Sequence, residues 1–577
     1  MKKFTFGTPE EFVPSKFCAG FDYCETDVRW PSDAFSFKTT PSGCVLEFPL
    51  EDDCQIFGFG LQLKQFNHRG KKLKMDVNAD PVTANGESHA PVPFFVTNKG
   101  YGMYFDTARY AEFYCGKQKN TAFGGGKPAA AAVSEGGAAD NEADLYAARR
   151  ENAAYMSVRI PTAKGVDVYV IEGESITDIV SKYNMLAGGG PDVPEWGLGL
   201  LYRCYTGWDA EKIKSVADYF RANDIPCDII GLEPGWQTHA YSCTYKWSDR
   251  YPDPDAFIAY LKERGYHINL WEHAFTHPDA AFHDEIAPYS GDWLVWGGVV
   301  PDFAVPEARK IFADYTRNYL VERGIDGFKL DECDGSDNTG GWSFPLSAEF
   351  PSGMDGMQYH SLFGTLYVQT LMDALGDRKT LGEVRQMGSL AAPYPFVLYS
   401  DLYDHRDFIR GVVNSGFSGL LWAPEFRSAH SKEECIRRMQ AVVFSVQCLV
   451  NAWNYNGIPW VVHECEEEVK DLLRIRAGLI PMLKTAFDEY RDTGKPPVRA
   501  LVMDYMDDPE TYNIDNEYLF CADLLVAPIA AGTGDERDVY LPVSDEWEDY
   551  FTGEPVGNGK IHVKTAGIPV YRRKGNR

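Results

Sequence analysis

The chain has no apolar run long enough to cross a bilayer, no CxxC pair among its 13 cysteines, and too few cations to balance its acids. Each absence excludes something. The first residues, "MKKFTFGTPEEFVPSKF", bring two lysines but no hydrophobic stretch of signal-peptide length, so a cytoplasmic location is expected and a membrane partner is not. An odd, scattered set of cysteines offers neither a disulfide framework nor a zinc site, and buried thiols are expected. With 56 Lys and Arg against 84 Asp and Glu the net charge is −28, which repels phosphate backbones and anionic lipid, so nucleic acid is not an expected partner. Homo-oligomerisation is left open.

What is present is a chain of 577 residues, 44% hydrophobic and 24% charged, the balance of a soluble globular protein with several units. Up to about residue 190 it offers short alternating segments such as "GCVLEFPL", "VPFFVTNKGYGMYFD" and "GVDVYVIEG", which predict an N-terminal β-sandwich over 1–190. Within it, "FGGGKPAAAAVSEGGAADNEADLYAARR" has few large apolar residues and reads as a flexible surface excursion. "LAGGGPDVPEWG" then marks a boundary.

From there strands and helices alternate. "GLGLLYRCY", "CDIIGLEP", "HINLWEHA", "DGFKLDE", "TLGEVR", "PFVLYSD", "SGLLWAPE" and "CLVNAWN" are eight candidate strands. Between them lie amphipathic helices. The clearest is "PEARKIFADYTRNYLVERG", whose Ala308, Ile311, Phe312, Tyr315 and Tyr319 share a face, with Pro306 in the first turn and Gly324 at the C-cap. Eight such repeats predict an α/β fold, a (β/α)8 TIM barrel over 191–490, although an open doubly wound sheet shares the alternation. Short strands return in "LLVAPIA", "DVYLPV" and "KIHVKTAGIPVYRR", which predict a small C-terminal β-sandwich domain over 491–577.

"GFKLDECDGSDNTG" places Asp331, Glu332, Asp334 and Asp337 directly after an apolar run. In a barrel, catalytic groups stand where strands end at the C-terminal face. Asp331 lies one residue beyond the apolar part of the fourth strand, and Asp401 holds the equivalent place after "PFVLYS" on the sixth. Two carboxylates converging on one mouth suit glycosyl transfer: one attacks the anomeric carbon, and the other protonates the departing oxygen and then activates water. An acidic loop also reads as a solvated turn or helix cap. A calcium loop fails, because its twelfth position, counted from Asp331, is Trp342 rather than Glu.

Further motifs resemble glycoside hydrolase family 31, the retaining α-glycosidases. "GFKLDECD" is similar to that family's nucleophile motif with Asp331 at the nucleophile position, and "YHSLFG" to its "HNLYG" helix. Arg385, sixteen residues before Asp401, matches the family's spacing between a substrate-binding arginine and its acid/base aspartate. "FGFGLQ", "WGGVVPDFAVPEAR", "LFCADLLVAPI", "VYLPVSDEWEDYFTGE" and "IPVYRRKG" extend the resemblance nearly end to end, and "NAD" is similar to a loop that brings Asp80 toward the site. The sequence ends there, so the family's distal β-domain is not expected. The resemblance implies a retaining exo-α-glycosidase acting on an oligosaccharide or glycoside, with Asp331 ionised, Asp401 protonated at the start, Arg385 clamping a sugar hydroxyl, and no metal or cofactor. A transglycosidase of the same chemistry, or a catalytically silent sugar-binding protein, are the alternatives.

Three departures bear on the sugar. Glu233 in "DIIGLEPGW" stands where the family's α-glucosidases bind sugar hydroxyls with an aspartate, Ala452 in "VNA" stands at a histidine position with Asn451 and Asn454 nearby, and Glu425 in "APEFR" replaces an aspartate. Glucosides and galactosides are both expected substrates, with an N-acetylated sugar a further candidate. Lys329, two residues before Asp331 and on the same strand face, would hold the nucleophile ionised or pair with Glu332 or Asp334. Trp236, Trp271 and Trp296, near strand ends, would stack on a sugar ring or fill the barrel mouth.

Overall fold

A computed structural model describes residues 1–117, 155–336, 341–401 and 404–574. The alanine- and glycine-rich excursion of 123–150 and Asp337 lie outside the described residues.

The first part of the chain is a sandwich of two five-stranded antiparallel sheets. One runs in the order Lys2–Thr8, Lys164–Glu172, Tyr101–Asp106, Pro91–Thr97, Ile56–Gly60, and the other Ser36–Thr40, Gly43–Pro49, Tyr155–Pro161, Glu112–Lys117, Lys72–Lys74. Phe48, Phe95, Phe105, Phe113 and Val168 fill the space between them. The two sheets differ in their outer faces. Tyr155–Pro161 alternates between buried and half-buried residues, as a strand with one solvated face should. Pro91–Thr97 and Tyr101–Asp106 are buried throughout. The cause is what covers the far face of that sheet: Phe94 stacks at 4.0 Å on Tyr183 of the helix Ile176–Met185, which precedes the barrel, and Phe57 at 5.6 Å on Phe417 of the barrel.

The barrel has seven regular parallel strands: Leu200–Arg203, Ile229–Leu232, His267–Glu272, Gly327–Leu330, Gly382–Val384, Phe396–Leu398 and Cys448–Asn451. The expected seventh, "SGLLWAPE", is not a continuous strand. It closes the gap through two isolated parallel bridges, Trp422 to Leu398 and Phe426 to Val450, with Ala423 N–H bonding Leu398 O at 3.0 Å and Asn451 N–H bonding Phe426 O at 2.7 Å. Pro424 lies between the two bridges and has no N–H to continue a ladder. The molecule is a (β/α)8 barrel flanked by β-domains, with its seventh stave pinned at two points.

The helices follow their sequence signals. Pro306–Tyr319 starts on Pro306, buries Ala308, Phe312, Ala313 and Thr316, packs Ile311, Tyr315 and Tyr319 partly against the core, and ends at Leu320, after which a 3-10 turn over Val321–Arg323 is closed by Gly324 at φ 110°. Pro254–Glu263 is capped by Asp253, Lys432–Val443 by Ser431, and Gly356–Leu375 by a reciprocal Asp355–Gln358 capping box. In the last of these Gly364 packs directly on the loop after the fifth strand: a Cβ there would come within 1.9 Å of the Gln386 carbonyl oxygen.

Beyond the long helix Glu466–Thr493, a six-stranded sheet and a two-stranded antiparallel sheet enclose Leu519, Leu525, Val539, Leu541, Trp547 and Tyr571. Twelve of the cysteines are buried free thiols and Cys24 is exposed. Among the described residues no helix is long and apolar enough to cross a membrane.

The Gly364 contact sets a prediction. Gly364→Ala must push the helix off the Gln386 backbone, at a cost of about 1–3 kcal/mol. The expected result is a lower apparent unfolding midpoint by differential scanning fluorimetry, and an unchanged midpoint would show that the helix moves freely there.

Candidate active site

The acidic cluster stands where the fourth strand ends. Asp331 follows Leu330 and its N–H still bonds across to Glu272 O at 2.8 Å, so the side chain is placed by the last rung of the barrel ladder. One carboxylate oxygen, Oδ2, accepts from the indole Nε1 of Trp271 at 2.6 Å; the other, Oδ1, accepts from the Glu332 N–H at 3.0 Å. Glu332 reaches that position by adopting φ 58°, a left-handed conformation that costs a side-chain-bearing residue strain and turns its N–H back toward the preceding carboxylate.

Arg385, at the end of the fifth strand, joins three acids. Its Nε donates to Asp334 Oδ2 at 2.9 Å, and its Nη1 lies 3.5 Å from Asp331 Oδ1 and also donates to Asp401 Oδ2. Asp401 comes from beyond the sixth strand, and its other oxygen accepts from Arg427 Nη1. The two acids expected to share a mouth therefore share one nitrogen.

Their electrostatics differ from expectation in one respect. Burial pushes the Asp331 carboxyl up, but the Arg385 and Lys329 charges outweigh it and hold the group below the ordinary carboxylate range, against a smaller upward push from Asp401. That suits an ionised nucleophile. Burial likewise raises Asp401, but Arg385, then Arg427 and Lys329, prevail and hold it far below the usual range. Asp401 is thus held between two guanidinium groups that favour its charged form, where the resemblance implies a protonated acid at the start. Glu332 goes the other way: burial, then the Asp331 charge, pushes its carboxyl well up.

Beneath these groups the barrel interior is polar. Arg203 on the first strand donates to Glu233 from Nε, to Asn269 Oδ1 at 2.8 Å and Glu383 Oε2 at 3.0 Å from Nη1, and to Leu232 O at 3.1 Å from Nη2. Gly231 makes room for it, because a Cβ there would meet Arg203 Cγ at 2.8 Å. Lys329 Nζ lies 3.3 and 3.2 Å from the two Glu233 oxygens, and Gln447 Nε2 donates to Glu383 Oε1 at 2.7 Å. Lys329 thus pairs with Glu233, on a strand 96 residues away, and with neither Glu332 nor Asp334. Its charge still bears on Asp331.

The remaining expected residues divide. Glu425 is buried, accepts from Asn451 Nδ2 at 3.1 Å, and has its carboxyl raised by burial to about 7 in spite of Arg427 and Lys329. Asp80 is exposed on its loop, its N–H on Asn78 Oδ1 at 3.0 Å, and among the described residues its side chain makes no bond to the carboxylate cluster. Two of the three tryptophans are core. Trp236 is fully buried, its N–H donated to Trp271 O at 2.6 Å and its ring 5.0 Å from Trp247, so it offers no face to a sugar. Trp271 is also buried and serves Asp331 through its N–H. Trp296 is half-buried at the rim, edge-on to Tyr241 at 5.0 Å and parallel to Trp342 at 6.1 Å, so part of its ring is accessible.

Arg203, Glu383 and Arg427 were not singled out by sequence. A signal existed for the first two: each is a charge inside an otherwise apolar strand, and Glu383 precedes Arg385 by two positions, hence on the same face. Arg427 follows Glu425 by two in the same way. Among the described residues no group of three or more His, Cys, Asp or Glu is placed to hold a metal ion.

Comparison with known proteins gives a consistent picture. Residues 190–486 match the glycosyl hydrolases family 31 TIM-barrel domain, 494–576 the glycosyl hydrolase family 31 C-terminal domain, and 21–113 the glycosyl hydrolase 31 N-terminal galactose mutarotase-like domain. An α-xylosidase of Emericella nidulans is 23% identical across 92% of this chain and 67% of its own, and α-glucosidase 2 of Bacillus thermoamyloliquefaciens 25% across 93% and 69%. A dextranase of Flavobacterium johnsoniae complexed with glucose shares the fold at a TM-score of 0.77 and 21% identity, covering 95% of this chain and 68% of that one. The chain spans about two thirds of the length of these relatives.

The buried acids predict the pH dependence of stability. Glu272, whose Oε1 accepts from Tyr367 at 2.7 Å, is pushed by burial from 4.5 to about 8, and Glu383 and Glu425 to about 7. A raised folded value means that the native state holds protons the unfolded chain has released, so stability falls as pH rises from about 5 to 8. Glu272→Gln should flatten that fall in midpoints measured across the range. A variant as steep as the parent would place the proton elsewhere.

Proposed function

The chain belongs to glycoside hydrolase family 31, and we propose that it is a retaining exo-α-glycosidase that removes a terminal α-linked sugar of the glucoside or galactoside type from an oligosaccharide or glycoside. Asp331 is the nucleophile and Asp401 the acid/base, within a chain organised as 1–190, 191–490 and 491–577. The observation that carries this reading is the shared nitrogen: Arg385 Nη1 touches one oxygen of each carboxylate. That arrangement suits the roughly 5–5.5 Å of a double displacement better than the roughly 6.5–9.5 Å that admits a water for inversion.

In the first step an Asp331 oxygen bonds to the anomeric carbon as the glycosidic bond breaks, and the Asp401 proton goes to the departing oxygen. In the second, water gives its proton to Asp401 and its oxygen to the anomeric carbon, releasing Asp331. The charges around Asp331 favour the ionised form that its part requires. Arg385 and Arg427 favour the ionised form of Asp401 too, whereas its part requires a proton. The reading therefore has the entering sugar take their N–H groups with its hydroxyls, after which the Asp331 charge favours a proton on Asp401. Asp331 is itself held by Trp271, which fixes its angle of attack.

Two features support a terminal sugar. The Arg203, Asn269, Glu383 and Gln447 network occupies the barrel interior beneath the carboxylates, and Trp296 with Tyr241 lines the rim that an outgoing group would cross. Glu233, fixed from below by Arg203 and Lys329, is placed to read the sugar hydroxyls and is one methylene longer than the aspartate of the family's α-glucosidases.

The test is a panel of p-nitrophenyl α-glucoside, α-galactoside, α-xyloside and α-N-acetylgalactosaminide, with the first-formed product anomer read by proton NMR. Turnover of the glucoside or galactoside with an α product is expected, and Asp331→Ala should lower it by at least about a thousandfold. A β product, or an Asp331→Ala variant of parental activity, contradicts the mechanism, and silence across the panel favours a binding protein.

A further inference from the structure

His89 belongs to the N-terminal sandwich, yet its ring lies between two loops of the barrel. Its backbone is pinned on both sides. Ser88 N–H bonds Asp76 O at 3.1 Å, Asn78 N–H bonds Ser88 O at 2.9 Å, and Leu61 N–H bonds Ala90 O at 2.9 Å. The ring itself is fully buried. Its Nδ1 is 2.8 Å from Asp334 Oδ2 and its Nε2 is 2.8 Å from Ser400 Oγ. Asp334 Oδ2 also takes Arg385 Nε, so it is an acceptor and His89 Nδ1 carries the hydrogen between them.

These contacts close a ring of side chains. Ser400 immediately precedes Asp401. From Ser400 the path runs through His89 to Asp334, from Asp334 to Arg385, and from Arg385 to Asp401 and Asp331. Four pieces of chain meet in it: the loop after the fourth strand, the end of the fifth, the end of the sixth, and one residue from another domain. Without the imidazole, Asp334 keeps only Arg385 from this set, and Ser400 loses its tie to the loop that follows the nucleophile.

We propose that His89 is a positioning residue for both reacting carboxylates, through Asp334 and Arg385 on one side and through Ser400 on the other, so that the N-terminal domain is part of the catalytic apparatus. The proposal rests on the assignment of Asp331 and Asp401 above. Arg385 has three carboxylates within reach and would redistribute among them if Asp334 were free to turn. The His89–Asp334 bond stops that turn, and the His89–Ser400 bond fixes where the sixth strand delivers Asp401. A displacement of about 1 Å at such a site costs on the order of a hundredfold in rate.

Three variants test it: His89→Gln, which keeps an amide in place of the ring, His89→Phe, which keeps the bulk without polar atoms, and His89→Gly, which opens a space for free imidazole. Each is assayed on the best substrate of the aryl glycoside panel, with its apparent unfolding midpoint measured alongside. The expected result is kcat lowered about ten- to hundredfold in all three with KM changed less than about threefold, and kcat of His89→Gly restored severalfold by added imidazole while His89→Phe does not respond. Parental kcat in His89→Phe, or a folded His89→Gly variant indifferent to imidazole, overturns the proposal. A second readout needs no turnover. In arginine-labelled protein the Arg385 Nε–H signal should be protected from solvent exchange in the parent and lose that protection in His89→Gln. Its persistence overturns the role of His89 even if the parent hydrolyses nothing in the panel, an outcome that would independently sink the assignment of Asp331 and Asp401.

Discussion

One guanidinium group organises this molecule's chemistry. Arg385 sits between the ends of the fourth and sixth strands and is bonded to Asp331, Asp334 and Asp401 at once. Three carboxylates so close together would be strongly repulsive in a place with little water, and taking each from solvent costs several kcal/mol before pairing offsets it. Arg385 alone does not balance them. Arg427 on Asp401 and Lys329 beside Asp331 bring the local count to three acids and three cations. That balance favours an ionised Asp331 in a buried site, and the same cations favour the ionised form of Asp401.

The same logic explains why the barrel is built inside out. Its interior carries Arg203, Glu233, Asn269, Lys329, Glu383 and Gln447, all buried and bonded to one another. Such a lining is weak evidence for stability, because buried ion pairs do little more than offset their own desolvation. Cohesion comes from the apolar layer between strands and helices, and from the sandwich sheet whose outward face is buried against the helix Ile176–Met185 through Phe94 and against the barrel through Phe57. Apolar packing outside holds the frame, and polar bonding inside orients the reacting groups.

Much of this was legible in the sequence where the signal is local. The helix beginning at Pro306 and the turn closed by Gly324 follow from their own residues, and so does the placement of Asp331 and Asp401 just beyond apolar runs. What was not legible depends on distant partners. Lys329 pairs with Glu233 rather than with an acid of its own loop, because the end of the second strand, two staves away around the wall, faces into the same barrel interior. Trp236 and Trp271 read equally well as sugar platforms or as core. Only the fate of their indole N–H groups, on Trp271 O and on Asp331, decides for the core. The seventh strand of the barrel was placed correctly along the chain, but its regularity was overstated, since Pro424 interrupts the ladder that its apolar neighbours suggest.

That interrupted stave has a wider meaning. The segment from Trp422 to Phe426 touches the rest of the wall at two rungs, and just beyond it stands Arg427, the residue that grips Asp401. Backbone shifts here are opposed by two rungs only, whereas the fourth strand is laddered to both neighbours. The enclosure is thus continuous around Asp331, the proposed nucleophile, and interrupted beside Asp401, the proposed acid/base. Divergence in which sugars are accepted has room to accumulate along this one seam of the cylinder while the reaction itself stays unaltered.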